Sequence, residues 1–286
     1  MALRHDKTNP LTKGLVFDVP FLEKGGIAPR DLVGRAKGAF SGSPTWVKDR
    51  FGSALSFDGN TTIVDFTALS SQKDLIRLTV EALVMARGAG AGASDIGILH
   101  KGDTSTTTKR FRFGFDNSAT LLEFQSSWDA DAVTGDWGSP SGSIVQNLWY
   151  HVVGTYDFSV ATNTPVLYIN GKSQSITTFA NPSAGTVPTA DGNEIGIGNR
   201  VFDLNREFNG YISYVRLWNR ILNRNEVSDL YQNPWQIYYK PTLSLGKAPT
   251  AAGPVSLKTV LGLAKASVKT VNGLAIASVK TWDGLA

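Results

Sequence analysis

Between Leu148 and Tyr156 the chain reads Leu-Trp-Tyr-His-Val-Val-Gly-Thr-Tyr, and no other stretch narrows the choice of fold so far. Side chains of a strand alternate between faces, so Leu148, Tyr150, Val152 and Tyr156 share one face while Trp149, His151 and Val153 share the other. Both sets are dominated by apolar and aromatic groups, as in a strand sandwiched between layers. Val166–Gly171 follows as a strand ending in the hairpin dipeptide Asn170-Gly171. Further short strands are predicted over Gly14–Asp18, Ser53–Phe57, Thr61–Phe66, Arg77–Met85, Ile96–His100, Phe111–Phe115, Leu121–Ser126, Glu194–Ile197 and Phe208–Trp218. So many short strands punctuated by turn residues predict an all-β sandwich or jelly roll. One helix is expected: Asn223 caps it, Glu226 completes the capping box, Val227, Leu230 and Tyr231 form its apolar stripe, and Asn233-Pro234 stops it. It should lie against the edge of the sandwich.

Composition removes several classes of function. The 286 residues contain no cysteine, which excludes disulfide scaffolds, thiol catalysis and cysteine metal sites. No apolar run approaches the roughly 20 residues of a membrane-spanning helix, so no membrane insertion is expected. The opening residues Met1–Lys7 are polar where an export leader would be apolar, and export by that route is not expected. The formal charge of +4 is unevenly distributed. Beyond residue 240 stand five lysines and one acid, leaving 23 basic and 23 acidic residues before it. A neutral body has no field to steer a polyanion, and nucleic acid is not an expected partner.

The C-terminal stretch is an internal repeat. Ser-Leu-Lys-Thr-Val-Leu-Gly-Leu-Ala from Ser256 recurs with small changes from Ser267 and from Ser278. The β-branched residues and the Asn272-Gly273 and Asp283-Gly284 pairs favour short strands, Leu263–Val271 and Leu274–Trp282, joined by tight turns. A meander this small and alanine-rich buries too little to stand alone and needs a partner surface; the alternative is a flexible low-complexity tail. Val268, Val271, Leu274, Ile276, Val279, Trp282 and Leu285 are its candidate assembly residues. The organisation predicted is an N-terminal arm (1–13), a large domain (14–240), a Pro/Gly/Ala linker (241–255) and the repeat tail (256–286).

In the large domain, Gly52-Ser-Ala-Leu-Ser-Phe-Asp-Gly59, Leu78–Val84, Leu99-His-Lys-Gly-Asp103, Trp149–Asp157, Leu167-Tyr-Ile-Asn-Gly171, Ile195-Gly-Ile-Gly198 and Gly210-Tyr-Ile212 through Leu230-Tyr231 occur in an order that resembles the laminin G-like, concanavalin A-like jelly-roll superfamily. The resemblance implies two stacked antiparallel sheets and a role in recognising glycans or proteins. Some relatives bind calcium, and Asp58 of the Phe-Asp-Gly segment, with Asp65 nearby, is the candidate metal pair. Ser213 and Tyr214 stand where such relatives carry acids, which weakens that inference, and Asp58 is also an ordinary turn former. No cofactor is required; calcium is an optional ligand.

Catalysis has little support. His5 falls in an arm expected to be mobile, His100 ends a strand, and His151 is expected to pack in the core. The Glu-x-Asp-x-x-Glu run of glycosidases on this fold is missing, and Glu81 and Glu194 are expected at the solvent face or rim. The candidate binding element is the loop Trp128–Gly138, where Trp128 and Trp137 offer flat faces for sugar rings and Asp129, Asp131 and Asp136 offer acceptors. The alternative is a tryptophan folded inward as a plug.

The two ends, Asn9–Phe17 and Asn233-Pro234-Trp235 with the repeat tail, also resemble bacteriophage virion proteins that carry laminin G-like domains. The function expected first is a non-enzymatic virion protein of tail, fibre or head. It would be anchored through 256–286 to other virion subunits or copies of itself, and would present the jelly roll to a cell-surface glycan. The alternative is a secreted or cell-surface bacterial lectin, and the third reading a polysaccharide-degrading enzyme.

Overall fold

A computed structural model describes residues 3–22, 28–48, 52–73, 75–92, 95–102, 110–128, 133–160, 162–181, 194–201 and 203–239, with four residue pairs between 259 and 275. The chain divides into two units, Met1–Tyr239 and Lys240–Ala286.

The strands of the first unit are, in chain order, β1 (Leu15–Pro20), β2 (Ala39–Ser41), β3 (Thr45–Val47), β4 (Ala54–Asp58), β5 (Ile63–Thr67), β6 (Arg77–Gly88), β7 (Ile96–Lys101), β8 (Arg110–Phe115), β9 (Leu122–Trp128), β10 (Val133–Gly138), β11 (Trp149–Asp157), β12 (Val166–Ile169), β13 (Lys172–Ser173), β14 (Thr177–Ala180), β15 (Glu194–Ile197) and β16 (Asn209–Trp218). Sheet I has the order β13-β12-β11-β6-β16-β4-β3, with β1 also paired to β16; sheet II has the order β14-β10-β9-β8-β7-β15-β5-β2. All pairings are antiparallel, and with α1 (Arg224–Gln232) they form the expected all-β jelly roll of two sheets and one short helix.

The two-faced strand β11 explains the layering. Val152 and Tyr156 enter the core between the sheets with Phe113, Phe124 and Trp137, while Val153 joins a second cluster with Tyr168, Trp218, Leu222, Val227 and Leu230. Leu148, read as part of this strand, precedes it and is exposed. The long strand β16 serves two neighbours on one side, β4 with Asn209–Ile212 and β1 with Tyr214–Trp218, and its register against β6 shifts between Ile212 and Tyr214.

The capping box at α1 is present: Asn223 Oδ1 accepts the Asn225 and Glu226 N–H groups, and Glu226 Oε2 accepts the Asn223 N–H. The helix does not confine itself to the sandwich edge. Val227 and Leu230 pack with Val153 and Trp218 over the outer face of sheet I, because the central strands present apolar groups there that an edge placement would leave wet. Its end reaches Gly171, whose φ of 76° admits the hairpin turn and where a Cβ would stand 3.0 Å from the Tyr231 ring.

The outer face of sheet I also buries charge. Register places Glu81 beside Arg216 and Arg216 beside Asp18 on three adjacent strands. Arg216 donates to Asp18 Oδ1 at 3.2 Å, to Glu81 Oε1 and Oε2 at 3.3 and 3.2 Å, and to the Pro234 carbonyl at 2.8 Å. Tyr214 Oη donates to Glu81 Oε1 at 2.9 Å, and His151 Nε2 lies 3.0 Å from the same oxygen. Burial pushes the Glu81 carboxyl up, but the Arg216 charge and the His151 and Tyr214 bonds outweigh it and hold it below the usual range. Glu81 is therefore not the solvent-face or rim residue expected from sequence. Its partners come from strands far apart in the chain, and local pattern does not reveal them.

His5 is a second correction. It is buried, its Nε2 lies 2.6 Å from Asp18 Oδ2, and its ring stacks on Tyr238 at 5.2 Å. Tyr238 Oη donates to the same Asp18 oxygen at 2.7 Å. Backbone bonds from Asp6 N to Ile237 O and from Tyr239 N to Arg4 O tie this segment to residues 237–239 after α1. The expected mobile arm is, from Leu3 onward, part of the cover on sheet I.

In the second unit, β17 (Thr259–Val260) pairs with β18 (Leu263–Ala264), and β19 (Thr270–Val271) pairs with β20 (Leu274–Ala275). Val271 faces Leu274 in the β19–β20 register, while the expected turn residues Asn272 and Gly273 lie outside the described residues. Of the longer strands expected, Leu263–Val271 is described only at its two ends and Leu274–Trp282 only at its start, and Val268, Ile276, Val279, Trp282 and Leu285 lie outside the described residues.

Candidate functional site

Sheet II alternates between its faces except where the register shifts, between Gly97 and Leu99 on β7 and between Asp136 and Trp137 on β10. Phe66, Ile195, Phe113, Phe124 and Trp137 point into the core, so their strand neighbours point outward. Register then aligns one outward residue from each strand: Ala39 on β2, Asp65 on β5, Gly196 on β15, His100 on β7, Arg112 on β8, Gln125 on β9, Asp136 on β10 and Ala180 on β14. A parallel row carries Gly97, Gly114, Glu123, Gly138 and Thr177. Polar side chains thus stand in a line, with His100 and Arg112 buried, beside a strip of buried glycines over which Arg206, the Ile96 carbonyl and Phe179 lie.

Arg112 organises this face. Its Nη2 donates to Glu123 Oε2 at 2.7 Å and to Asp95 Oδ2 at 3.0 Å, and its Nη1 donates to the Phe115 and Ile96 carbonyls at 3.1 and 3.3 Å. The Ile96 carbonyl turns outward because the β7–β8 register shifts between Gly97 and Leu99, and it approaches so close that a Cβ on Gly114 would lie 1.8 Å away. Gln125 Nε2 reaches Asp136 Oδ2 at 3.5 Å. Arg112 Nε and Asp136 Oδ1 are buried and find no hydrogen-bond partner among the described residues. Burial pushes the Glu123 carboxyl up to about 7 despite Arg112 beside it. Burial likewise raises Asp65 and Asp136.

Of the residues singled out in sequence, Asp136 belongs to this row. Trp137 does not face it. The indole is wholly buried, 5.4 Å from the Tyr156 ring, and acts as the inward plug. Of the expected loop Trp128–Gly138, Trp128 ends β9 and Val133–Gly138 forms β10, where Gly135 and Trp137 take the inward parity of a strand. Trp128 pairs with Val133 as the last rung before the tip; Asp129 and Asp131 lie outside the described residues. Asp58 closes the turn between β4 and β5: its Oδ1 accepts the N–H groups of Asn60, Thr61 and Thr62 at 3.0 to 3.1 Å. Asp65 stands on sheet II and Asp58 on sheet I, so the proposed metal pair is divided between the sheets. Among the described residues no group of three or more His, Asp or Glu is placed to hold a metal ion. Asp65, His100, Arg112, Glu123 and Gln125 were missed as a set. Strand parity marks each as outward, but only register brings them together.

The sequence profile of the concanavalin A-like lectin/glucanases superfamily matches residues 58–228, more than half of the chain. The chain belongs to this superfamily. No curated protein matches it in sequence. Among solved structures, the binding domain of Paraclostridial Mosquitocidal Protein 1 is similar with a TM-score of 0.56 at 16% identity, over 77% of this chain and 52% of that one. The botulinum neurotoxin serotype C1 binding domain is similar with a TM-score of 0.56 at 12% identity, over 79% of this chain and 53% of that one. The chain thus spans about half the length of these toxin structures. Domain 4 of an extracellular arabinanase from Geobacillus stearothermophilus, solved with arabinotriose, is similar with a TM-score of 0.53 at 16% identity, over 76% of this chain and 98% of that one. At such identities these likenesses concern the superfamily fold. No helix among the described residues is long and apolar enough to cross a membrane.

Proposed function

We propose that this superfamily domain binds carbohydrate on the outer face of sheet II. The observation that carries the reading is the aligned row of Asp65, His100, Arg112, Gln125 and Asp136 on neighbouring strands. Sugar hydroxyls donate and accept at once, and a line of carboxylates, an amide, an imidazole and a guanidinium offers both kinds of partner. Solved binding domains of toxins and a sugar-complexed arabinanase domain on the same fold support it. It favours a lectin-type binding module, acting at a surface or outside the cell. Calcium at Asp58 or Asp65 is not needed for it.

A glycan panel probed with the wild type and with Gln125→Ala and Asp136→Asn tests this reading. The wild type should bind, and each folded variant should lose about tenfold, the cost of one hydrogen bond in a ligand site. Unchanged binding by both variants refutes the site. The same incubations, read for new reducing ends, separate binding from hydrolysis.

The second reading, a virion protein anchored by its tail, is favoured by one feature. The hairpins β17–β18 and β19–β20 recur at an eleven-residue offset, as units that pair with further copies would. In that reading the jelly roll points outward for multivalent attachment. Light scattering of the full chain should then give an oligomer and residues 1–240 a monomer; equal masses per chain for both refute the anchor.

A further inference from the structure

A cleft of about 580 Å³ opens where the N-terminal segment, the 30–35 turn and Tyr239 meet. Its lining includes four cations, Arg4, Lys7, Arg30 and Arg35, all exposed. None of their side chains has an ion-pair or hydrogen-bond partner among the described residues. In a body whose basic and acidic residues balance at 23 each, this is a local concentration of positive charge.

The fold fixes that concentration. Backbone bonds from Tyr239 N to Arg4 O and from Asp6 N to Ile237 O hold the first segment. The second is a turn closed by Asp31 N to Ala36 O, with Arg35 at its tip in the left-handed region at φ 61°. A non-glycine residue held there is uncommon and marks a geometry that its surroundings impose. The acid in the lining does not neutralise the cleft. Asp31 is buried, and each of its oxygens already accepts two donors: Asp18 N and Val33 N on Oδ1, Gly34 N and Gln72 Nε2 on Oδ2. His5, the remaining titratable wall, is engaged with Asp18. The apolar part of the wall is Leu3, Leu32, Val33 and a half-exposed Tyr239.

We propose that this cleft is a second binding site, for an anionic saccharide bearing carboxylate or sulfate groups. Guanidinium groups bind such oxyanions with paired, charge-assisted hydrogen bonds, and the Tyr239 ring supplies a face for the apolar side of a sugar. The volume lies in the range of small-ligand sites, roughly 300–1,000 Å³. Its wall is built from the cover of sheet I and shares no residue with the row on sheet II, so it stands or falls independently of that reading.

Calorimetric titration of the full chain with a sulfated heparin-derived hexasaccharide, a hexagalacturonate and neutral maltohexaose tests the proposal. At least one anionic oligomer should bind about tenfold or more tighter than the neutral one, and Arg4→Ser/Arg30→Ser should lose at least about tenfold of that affinity. Lys48→Ser/Lys172→Ser removes the same charge elsewhere and should retain it within about twofold. His100→Ala, on sheet II, should leave it unchanged. Equal binding of neutral and anionic oligomers, an unaffected cleft variant, or an equal loss in the control variant would each overturn the site. Should the cleft variant fail to fold, wild-type NMR decides: the Nε–Hε resonances of Arg4, Arg30 and Arg35 must move on titration, and static resonances overturn the proposal.

Discussion

Replacing Arg216 with methionine removes the cation at the centre of the cover on sheet I. Methionine keeps the length of the side chain but none of its donors. Asp18 and Glu81, both fully buried, lose bonds of 3.2 Å each, and the Pro234 carbonyl loses its 2.8 Å donor. Breaking a buried pair by deleting one partner costs about 3–5 kcal/mol, since the carboxylate left behind has neither water nor counter-charge. That is a large part of the 5–15 kcal/mol typical of a domain. With an m-value of roughly 2–3 kcal/mol/M, the urea midpoint should fall by about 1–2 M. Equilibrium unfolding followed by tryptophan fluorescence reads this directly. Neutralising the stranded acids, as Asp18→Asn/Glu81→Gln/Arg216→Met, should recover much of the loss. A loss under about 1 kcal/mol for Arg216→Met would mean that the acids are already hydrated or protonated, and the account of the cover would be wrong.

Three more outcomes follow from named contacts. Glu123 is pushed by burial up to about 7, so its contribution to stability is full below the unfolded carboxylate value and lost as pH rises through about 7. Glu123→Gln should therefore flatten the decline in stability between about pH 5 and pH 8, by at most about 3 kcal/mol, and a decline of equal depth in the variant would contradict this. Trp137→Ala should cost about 3–5 kcal/mol in denaturant titrations, the penalty for emptying a large buried site; a cost near zero would restore Trp137 as a surface residue. Asn223→Ala should lower stability by about 1 kcal/mol through loss of two accepted N–H bonds at α1, and no change in the urea midpoint would remove the cap's role.

Much of the architecture was legible because the signals are local. Glu194–Ile197 appears as β15 with the predicted bounds, and Asn223 with Glu226 marks the start of α1. The strands β2 and β3 escaped because three mostly exposed or half-buried residues carry no periodicity to read. The strand β10 escaped for a different reason. Gly135 looks like a turn former, but the Trp137 ring lies over it, where a Cβ would come within 1.9 Å. The glycine is there to admit the indole, and the same contact explains why the tryptophan is a plug. Arg216 meets Asp18 across 198 residues and Glu81 across 135, beyond the reach of any window, and His5 joins them through Asp18. The sheet II row is half legible. Alternation marks Arg112 and Gln125 as outward, whereas the pairing that sets them beside His100 and Asp136 is a property of the folded sheet.

The reading of sheet II as a carbohydrate face is tested most directly by backbone amide NMR during titration with the best ligand from the glycan panel. Shifts should concentrate on β7 to β10, around His100, Arg112, Gln125 and Asp136. Shifts confined to α1 and the outer side of sheet I, with those four residues unmoved, would contradict it.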